Sequence, residues 1–245
     1  MGFLQRRQIS VQLTSKRLSM SACPLSTILL MQTNESMVGA WINCKDAWTD
    51  HPDHTQEDEP YNEAEVQRAV QYAKQYPDII KMIAVGNEAM VHWATCYFVP
   101  PSVILKWVNY LQDLKNEGDL PSDLWITSSD DFAAWGGASD NYHIEDLNRL
   151  ITAVDFISMH TYAFHNSHYS PDYWYSRDPS LSKIEQIDAS MQRAGEFAAG
   201  QYNDVKQYIL SLGIDKPIHI GETGWATASN GFYGAEGSQA ADEYK

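Results

Sequence analysis

The sequence predicts an α/β fold built on a parallel sheet covered by helices. Three observations predict it. From Met37 onward, short apolar runs that end in polar or glycine residues alternate with longer amphipathic stretches, the rhythm of repeated βα units. The short runs are apolar on most positions, as expected of strands buried on both faces. The longer stretches carry helix start and stop signals. With 245 residues and 44% hydrophobic content, the chain belongs among folded globular proteins. A chain of this length buries roughly 70 to 75% of its unfolded surface, so its core needs no disulfide or metal staple.

Taken in order, Gln8 to Ser15 alternates polar residues with Ile9, Val11 and Leu13, which suits a half-buried strand, but no helix and further strand continue it. Five strands follow, at Met37 to Ile42, Ile79 to Val85, Leu124 to Thr127, Val154 to Met159 and Pro217 to Ile220. Pro101 opens a helix that Gly118 ends, and Ile104, Trp107, Val108 and Leu111 recur along it at the spacing of a core-facing stripe. Ser182 and Glu185 form a capping-box pattern before a long helical segment stopped at Gly213. No fixed-period repeat or low-complexity linker divides the chain.

Charge narrows the partners. The formal net charge is −15, and a surface this acidic repels phosphate backbones, which argues against nucleic acid or anionic lipid and favours neutral or cationic ligands. All 32 acidic residues lie after residue 34, whereas Arg6, Arg7, Lys16 and Arg17 lie before it, so residues 1–34 form a distinct basic segment. That segment is basic, Ser-rich and acid-free like a targeting peptide, yet it lacks a clean cleavage site. No run approaches the ~18 apolar residues of a spanning helix. The three cysteines show no CxxC or zinc-ligand spacing. His51 and His54, and His165 and His168, stand three apart, but no HExxH pattern or third fixed ligand accompanies either pair, so no metal site is read. A phosphate loop, a Gly-x-Ser-x-Gly elbow and a Cys/His nucleophile pattern are all missing, and Gly136-Gly137 is too short to stand for one.

In parallel α/β architectures, functional side chains gather where strands end. These ends read Val85-Gly-Asn-Glu88, Ser128-Ser-Asp-Asp131, His160-Thr-Tyr162 and Gly221-Glu-Thr-Gly-Trp225. Glu88 and Glu222 each follow an apolar strand, where a carboxylate is costly unless it is paired, hydrogen-bonded or catalytic. Position alone allows each to cap a helix or sit in an ion pair. Two such acids also suit glycoside cleavage, which needs one protonated carboxyl for the leaving oxygen and one ionised carboxylate at the anomeric carbon. The neighbours shift the balance toward this chemistry: Asn87 can hydrogen-bond a sugar hydroxyl, Trp225 offers an apolar face to a pyranose, and Tyr162 can hold a carboxylate oxygen. Asp130 and Asp131 are candidates for a sugar hydroxyl or for capping, Trp135 for a subsite wall or for packing, and His160 for shaping the cleft.

Ile83-Ala-Val-Gly-Asn-Glu88 and His219-Ile-Gly-Glu-Thr-Gly-Trp225, the two Glu lying 134 residues apart, resemble glycoside hydrolase family 17, the β-1,3-glucanases, and especially its microbial branch. Ala89 follows Glu88 where the family 5 cellulases would have Pro, and Ala226 stands where the plant family 17 enzymes have Pro. The resemblance covers roughly residues 36 to 245. It implies a (β/α)8 TIM barrel, with Glu88 as acid/base, Glu222 as nucleophile, Asn87 on the sugar 2-hydroxyl, Tyr162 on the nucleophile and Trp225 beside it. It also implies a neutral β-1,3-glucan substrate, no cofactor, and a secreted or periplasmic setting. Counted from the motifs, the five strands are the third to seventh of eight. The expectation is therefore an incomplete barrel over 35–245, with 1–34 unassigned and open edges near Val38 and Ile218. A weakly binding, non-catalytic fragment stands as the alternative to an active hydrolase or transglycosylase.

Overall fold

The computed structural model describes residues 12–13, 35–163 and 180–224. It is an α/β fold with a parallel sheet, and the chain divides into two compact units. The first runs to Ser128 and takes in Ala153–Phe156; the second holds Ser129–Thr152 and the chain from Ile157 onward.

In the first unit, β2 (Ser36–Ala40) and β5 (Ile80–Asn87) pair in parallel, from Met37 opposite Met82 to Ala40 opposite Val85. Both are buried along most of their length, as their largely apolar sequences require. Met37, Met82 and Ala84 share a core cluster with Phe156. The edge of β2 near Val38, expected to be open, carries β1 (Gln12–Leu13), which pairs antiparallel with Met37 and Ser36. An antiparallel strand at this edge satisfies the backbone groups without the crossover that a parallel neighbour needs.

Helix α1 (Glu59–Gln75) packs on β2 and β5 through Val66, Ala69, Val70 and Ala73, and its N-cap Asp58 accepts the Tyr61 N–H. Helix α2 (Pro101–Asn116) buries the predicted stripe of Ile104, Trp107, Val108 and Leu111, and Gly118, at φ +83°, ends it. A two-stranded hairpin, β3 (Cys44–Lys45) and β4 (Asp53–Glu57), lies between β2 and α1. Neither arm alternates apolar with polar residues, so periodicity misses it. Side chains hold it instead. Asn62, fully buried, accepts the Asn43 N–H and donates to the Asn43 carbonyl, standing in for a strand partner. Asn62 also donates to Glu57, whose carboxylate further accepts from Lys106 Nζ at 2.6 Å and Trp107 Nε1 at 2.8 Å.

Burial pushes the Glu57 carboxyl up, but the hydrogen bonds from Lys106, Trp107 and Asn62 outweigh it and hold the group below the usual carboxylate range. A carboxyl depressed on folding stabilises the native state above its unfolded pKa, and that contribution disappears as pH falls through the folded value. Glu57→Gln is therefore expected to cost about 1 to 3 kcal/mol at pH 7 and to lose most of that cost near pH 3, as read by urea unfolding at the two pH values. An equal cost at both would show that the charge on Glu57 is immaterial to the hairpin.

Strand β6 (Trp125–Asp131) begins in the first unit and continues in the second. The sequence reading stops it at Thr127, but the structure extends it through Ser128, Ser129, Asp130 and Asp131, all buried. The side chains of Ser129, Asp130 and Asp131 have internal partners, and only the Ser128 hydroxyl of the four is buried without one, so polarity does not end the ladder. The next strand starts later than read. In place of strand structure at Val154–Phe156, Asp155 accepts the Ile126 N–H and pairs with Lys115, both at 2.8 Å, while its own N–H goes to the Ile126 carbonyl.

The second unit pairs β6, β7 (Ile157–His160) and β8 (Ile218–Glu222) in parallel. Helix α3 (Glu145–Ala153) precedes β7, and α4 (Lys183–Ser211) follows it. The capping box at Ser182 and Glu185 is formed at the start of α4, and Gly213, at φ +74°, follows its end. Gly136-Gly137 faces α4, and a side chain at Gly136 would overlap the Tyr208 ring. Close packing, not ligand binding, accounts for that glycine pair. Trp135 is buried and donates Nε1–H to the Ser158 carbonyl, which makes it a core residue rather than a subsite wall. Among the described residues, no helix is long and apolar enough to cross a membrane.

Candidate active site

The first unit presents Asn87 and Glu88 where β5 ends. Gly86 at φ +81° and Glu88 at φ +47° turn the backbone sharply there. A Cβ on Gly86 would lie 3.0 Å from Ile104 Cδ1 and 3.2 Å from Ala89 Cβ, so glycine lets the turn sit directly on α2. A glutamate in the left-handed region is uncommon, and such outliers gather at functional positions. Asn87 and Glu88 are both half-buried.

The second unit holds Glu222 at the end of β8. Tyr162 donates its hydroxyl to Glu222 Oε2 at 2.8 Å. His160 Nδ1 lies 3.5 Å from the same oxygen, and its Nε2 is 2.8 Å from Ser129 Oγ, which is 2.9 Å from Ser158 Oγ. The imidazole is wholly buried, so His160 backs the carboxylate instead of lining a cleft. Facing an ionised carboxylate, only forms with a proton on Nδ1 avoid repulsion, and Ser129 can accept from or donate to Nε2 accordingly. Glu222 Oε2 thus meets the Tyr162 hydroxyl and the His160 ring, two contacts that hold the carboxylate in place.

A single irregularity of register brings these groups together. Met159 pairs with Ile220, but His160 pairs with Glu222, and Gly221 is the extra residue between them. Partners directly opposite share a face of the sheet, so in regular register His160 would face Gly221 and the Glu222 side chain would leave from the other face. Gly221 also has no room for a side chain: a Cβ there would collide with Ser158 Oγ and approach Ser129 Oγ to 3.2 Å.

Asp130 and Asp131 are buried in β6. Asp130 Oδ1 accepts the Asp131 N–H, and Asp131 Oδ1 accepts the Ala133 N–H, the capping arrangement that the sequence left open. Trp225, His165 and His168 lie outside the described residues. His54 bonds the Thr95 carbonyl through Nε2 at 2.8 Å. Ser129 and Gly221 stand in the strand-end runs without a motif of their own, and no sequence pattern marks Ser158 or Gln201, whose Oε1 accepts from the Thr161 hydroxyl beside Tyr162.

No family model and no curated protein matches the chain. Among solved structures it is similar to an endo-laminarinase from Formosa Hel1_33_131, at 59% sequence identity and a TM-score of 0.77, over 81% of this chain and 51% of that one. The chain therefore spans about half the length of that laminarinase, and over most of its own length it resembles a glycoside hydrolase in both sequence and fold.

Proposed function

We propose that the protein is a retaining β-1,3-glucan hydrolase of glycoside hydrolase family 17. In this reading β2, β5, β6, β7 and β8 are the third to seventh strands of a (β/α)8 barrel domain over residues 35–245. The observation that carries it is the 59% identity to an endo-laminarinase, joined to a glutamate at the end of β5 and another at the end of β8. The Tyr162 and His160 contacts, which fix the position of the Glu222 carboxylate, fit a nucleophile.

Glu88 would give its proton to the glycosidic oxygen as the Glu222 carboxylate attacks the anomeric carbon, and the bond to the leaving sugar breaks. Water, giving a proton to the now ionised Glu88, then displaces Glu222 and restores both groups. Two inversions leave the configuration retained. Asn87 would hold the sugar 2-hydroxyl. Asp130 and Asp131 would support this wall of the cleft, with Trp225 beside the nucleophile. A second sugar in place of water would give transglycosylation by the same steps. No step requires a cofactor.

Incubation with linear β-1,3-glucan, followed by anomeric proton NMR, tests the reading. Release of β-configured reducing ends first supports it; an α-configured product, or no cleavage, sinks it. A narrower result concerns Ser129. Ser129→Ala removes the hydroxyl that orients His160, so kcat should fall on the order of tenfold with KM held. An unchanged kcat would reduce Ser129 to packing.

A further inference from the structure

We infer that Trp41, Trp48 and Tyr97 form a glucosyl-binding subsite, an aromatic platform for a β-1,3-linked glucose unit away from the bond that is cut. This rests on the glucan reading above and deepens it. The three rings come from three places in the chain but form one cluster within the first unit. Trp48 stacks on Tyr97 at 4.8 Å between centroids and 25° between planes, and Trp41 lies 5.4 Å from Tyr97 and 6.3 Å from Trp48.

The position is continuous with the proposed site. Trp41 directly follows β2, whose last residue Ala40 pairs with Val85, so the cluster rises one strand over from Asn87 and Glu88 at the same end of the sheet. Tyr97 belongs to the connection that leaves Glu88 for α2, and Trp48 is carried between the arms of the β3–β4 hairpin that Glu57 and Asn62 anchor.

Packing alone accounts poorly for Trp48. Its side is stacked on Tyr97, yet the residue remains 52% exposed. Its backbone sits at φ +65°, in the left-handed region where a bulky residue is an outlier that costs free energy. The Trp48 N–H donates to the Cys96 carbonyl at 2.9 Å, and Thr49 closes the turn onto the Asp46 carbonyl through both its N–H and its hydroxyl. The loop is thus built to hold a large ring outward. Exposed Asp46, Thr49 and Asp50 surround it with hydroxyl-binding groups and negative charge, which suits a neutral sugar better than an anionic partner. A pyranose has an apolar C–H face and a polar edge, the same division as this surface.

The test replaces Trp48 by Asn, which tolerates left-handed backbone and lacks the ring, and by Phe, which keeps a ring. Binding of laminarihexaose is measured by titration calorimetry in a Glu222→Gln background, so that nothing is consumed, and circular dichroism confirms folding. Trp48→Asn should weaken binding about tenfold and Trp48→Phe less than about threefold. In the otherwise unaltered chain, Trp48→Asn should raise KM for the glucan with kcat within about twofold. Equal affinity in the Asn variant and its parent overturns the subsite while leaving catalysis intact. So does a Trp48→Asn chain that loses self-association in sedimentation but binds sugar unchanged. Weakened binding in a chain whose parent never cleaves glucan upholds the subsite and removes the catalytic reading; a parent that binds no laminarihexaose removes both.

Discussion

Glu222→Gln is expected to lower kcat on β-1,3-glucan by at least about a thousandfold, because an amide cannot form the glycosyl ester on which the two-step route depends. The residue is held by Tyr162 and His160, and an isosteric amide can occupy the same place, so folding should survive and the loss should be chemical. Glu88→Gln should differ in kind. It removes proton donation to the leaving oxygen, worth about a hundredfold or more on glucan, but a substrate whose leaving group departs without a proton escapes most of that loss in its first step. An aryl β-glucoside with an acidic phenol, compared with glucan in both variants, separates the two roles. A Glu88→Gln chain equally impaired on both substrates would refute the acid assignment, and an active Glu222→Gln chain would refute the nucleophile. In a crystal with a bound sugar, the two carboxyls of a retaining pair should stand about 5 to 5.5 Å apart.

The second large effect is expected at a residue with no functional group. Gly221→Ala would drive a methyl group into Ser158 Oγ and toward Ser129 Oγ and His160, all buried and mutually bonded. Overpacking of this kind costs about 1 to 3 kcal/mol, or roughly 2 to 12 °C in Tm for a chain of this size. Activity should fall further than stability, since the displaced groups are those that position Glu222. Adding Ser158→Ala makes room for the methyl, so the double variant should lose less Tm than the two single losses combined. Strict additivity would show that the collision is relieved elsewhere.

What the sequence revealed follows from where each signal is local. The apolar runs of β2, β5 and β8, the Pro101 and Ser182 helix starts and the two Glu were legible because each is a contiguous pattern. The hairpin was not. Its strands Cys44–Lys45 and Asp53–Glu57 are stabilised by Asn62 in the helix that follows and by Lys106 and Trp107, which lie well apart from it in the chain. The polar half of β6 was read as a strand end because serine and aspartate usually mark turns; here burial with partners reverses that meaning. Ser129 and Ser158 carry no motif, and their role exists only because β6 and β7 lie side by side. Trp41, Trp48 and Tyr97 were equally silent, being one surface assembled from separate segments.

The hydrogen bond from Trp48 to the Cys96 carbonyl makes this loop optically addressable. Of the two described cysteines, Cys44 is buried, and burial pushes its thiol up, whereas Cys96 is exposed. In a Cys23→Ser chain, a maleimide dye at neutral pH should couple to Cys96 and spare Cys44. The fluorophore would then stand beside an indole able to quench it by contact. Any event that occupies or shields that indole would be read as a change in emission, with no label on the sugar and no turnover.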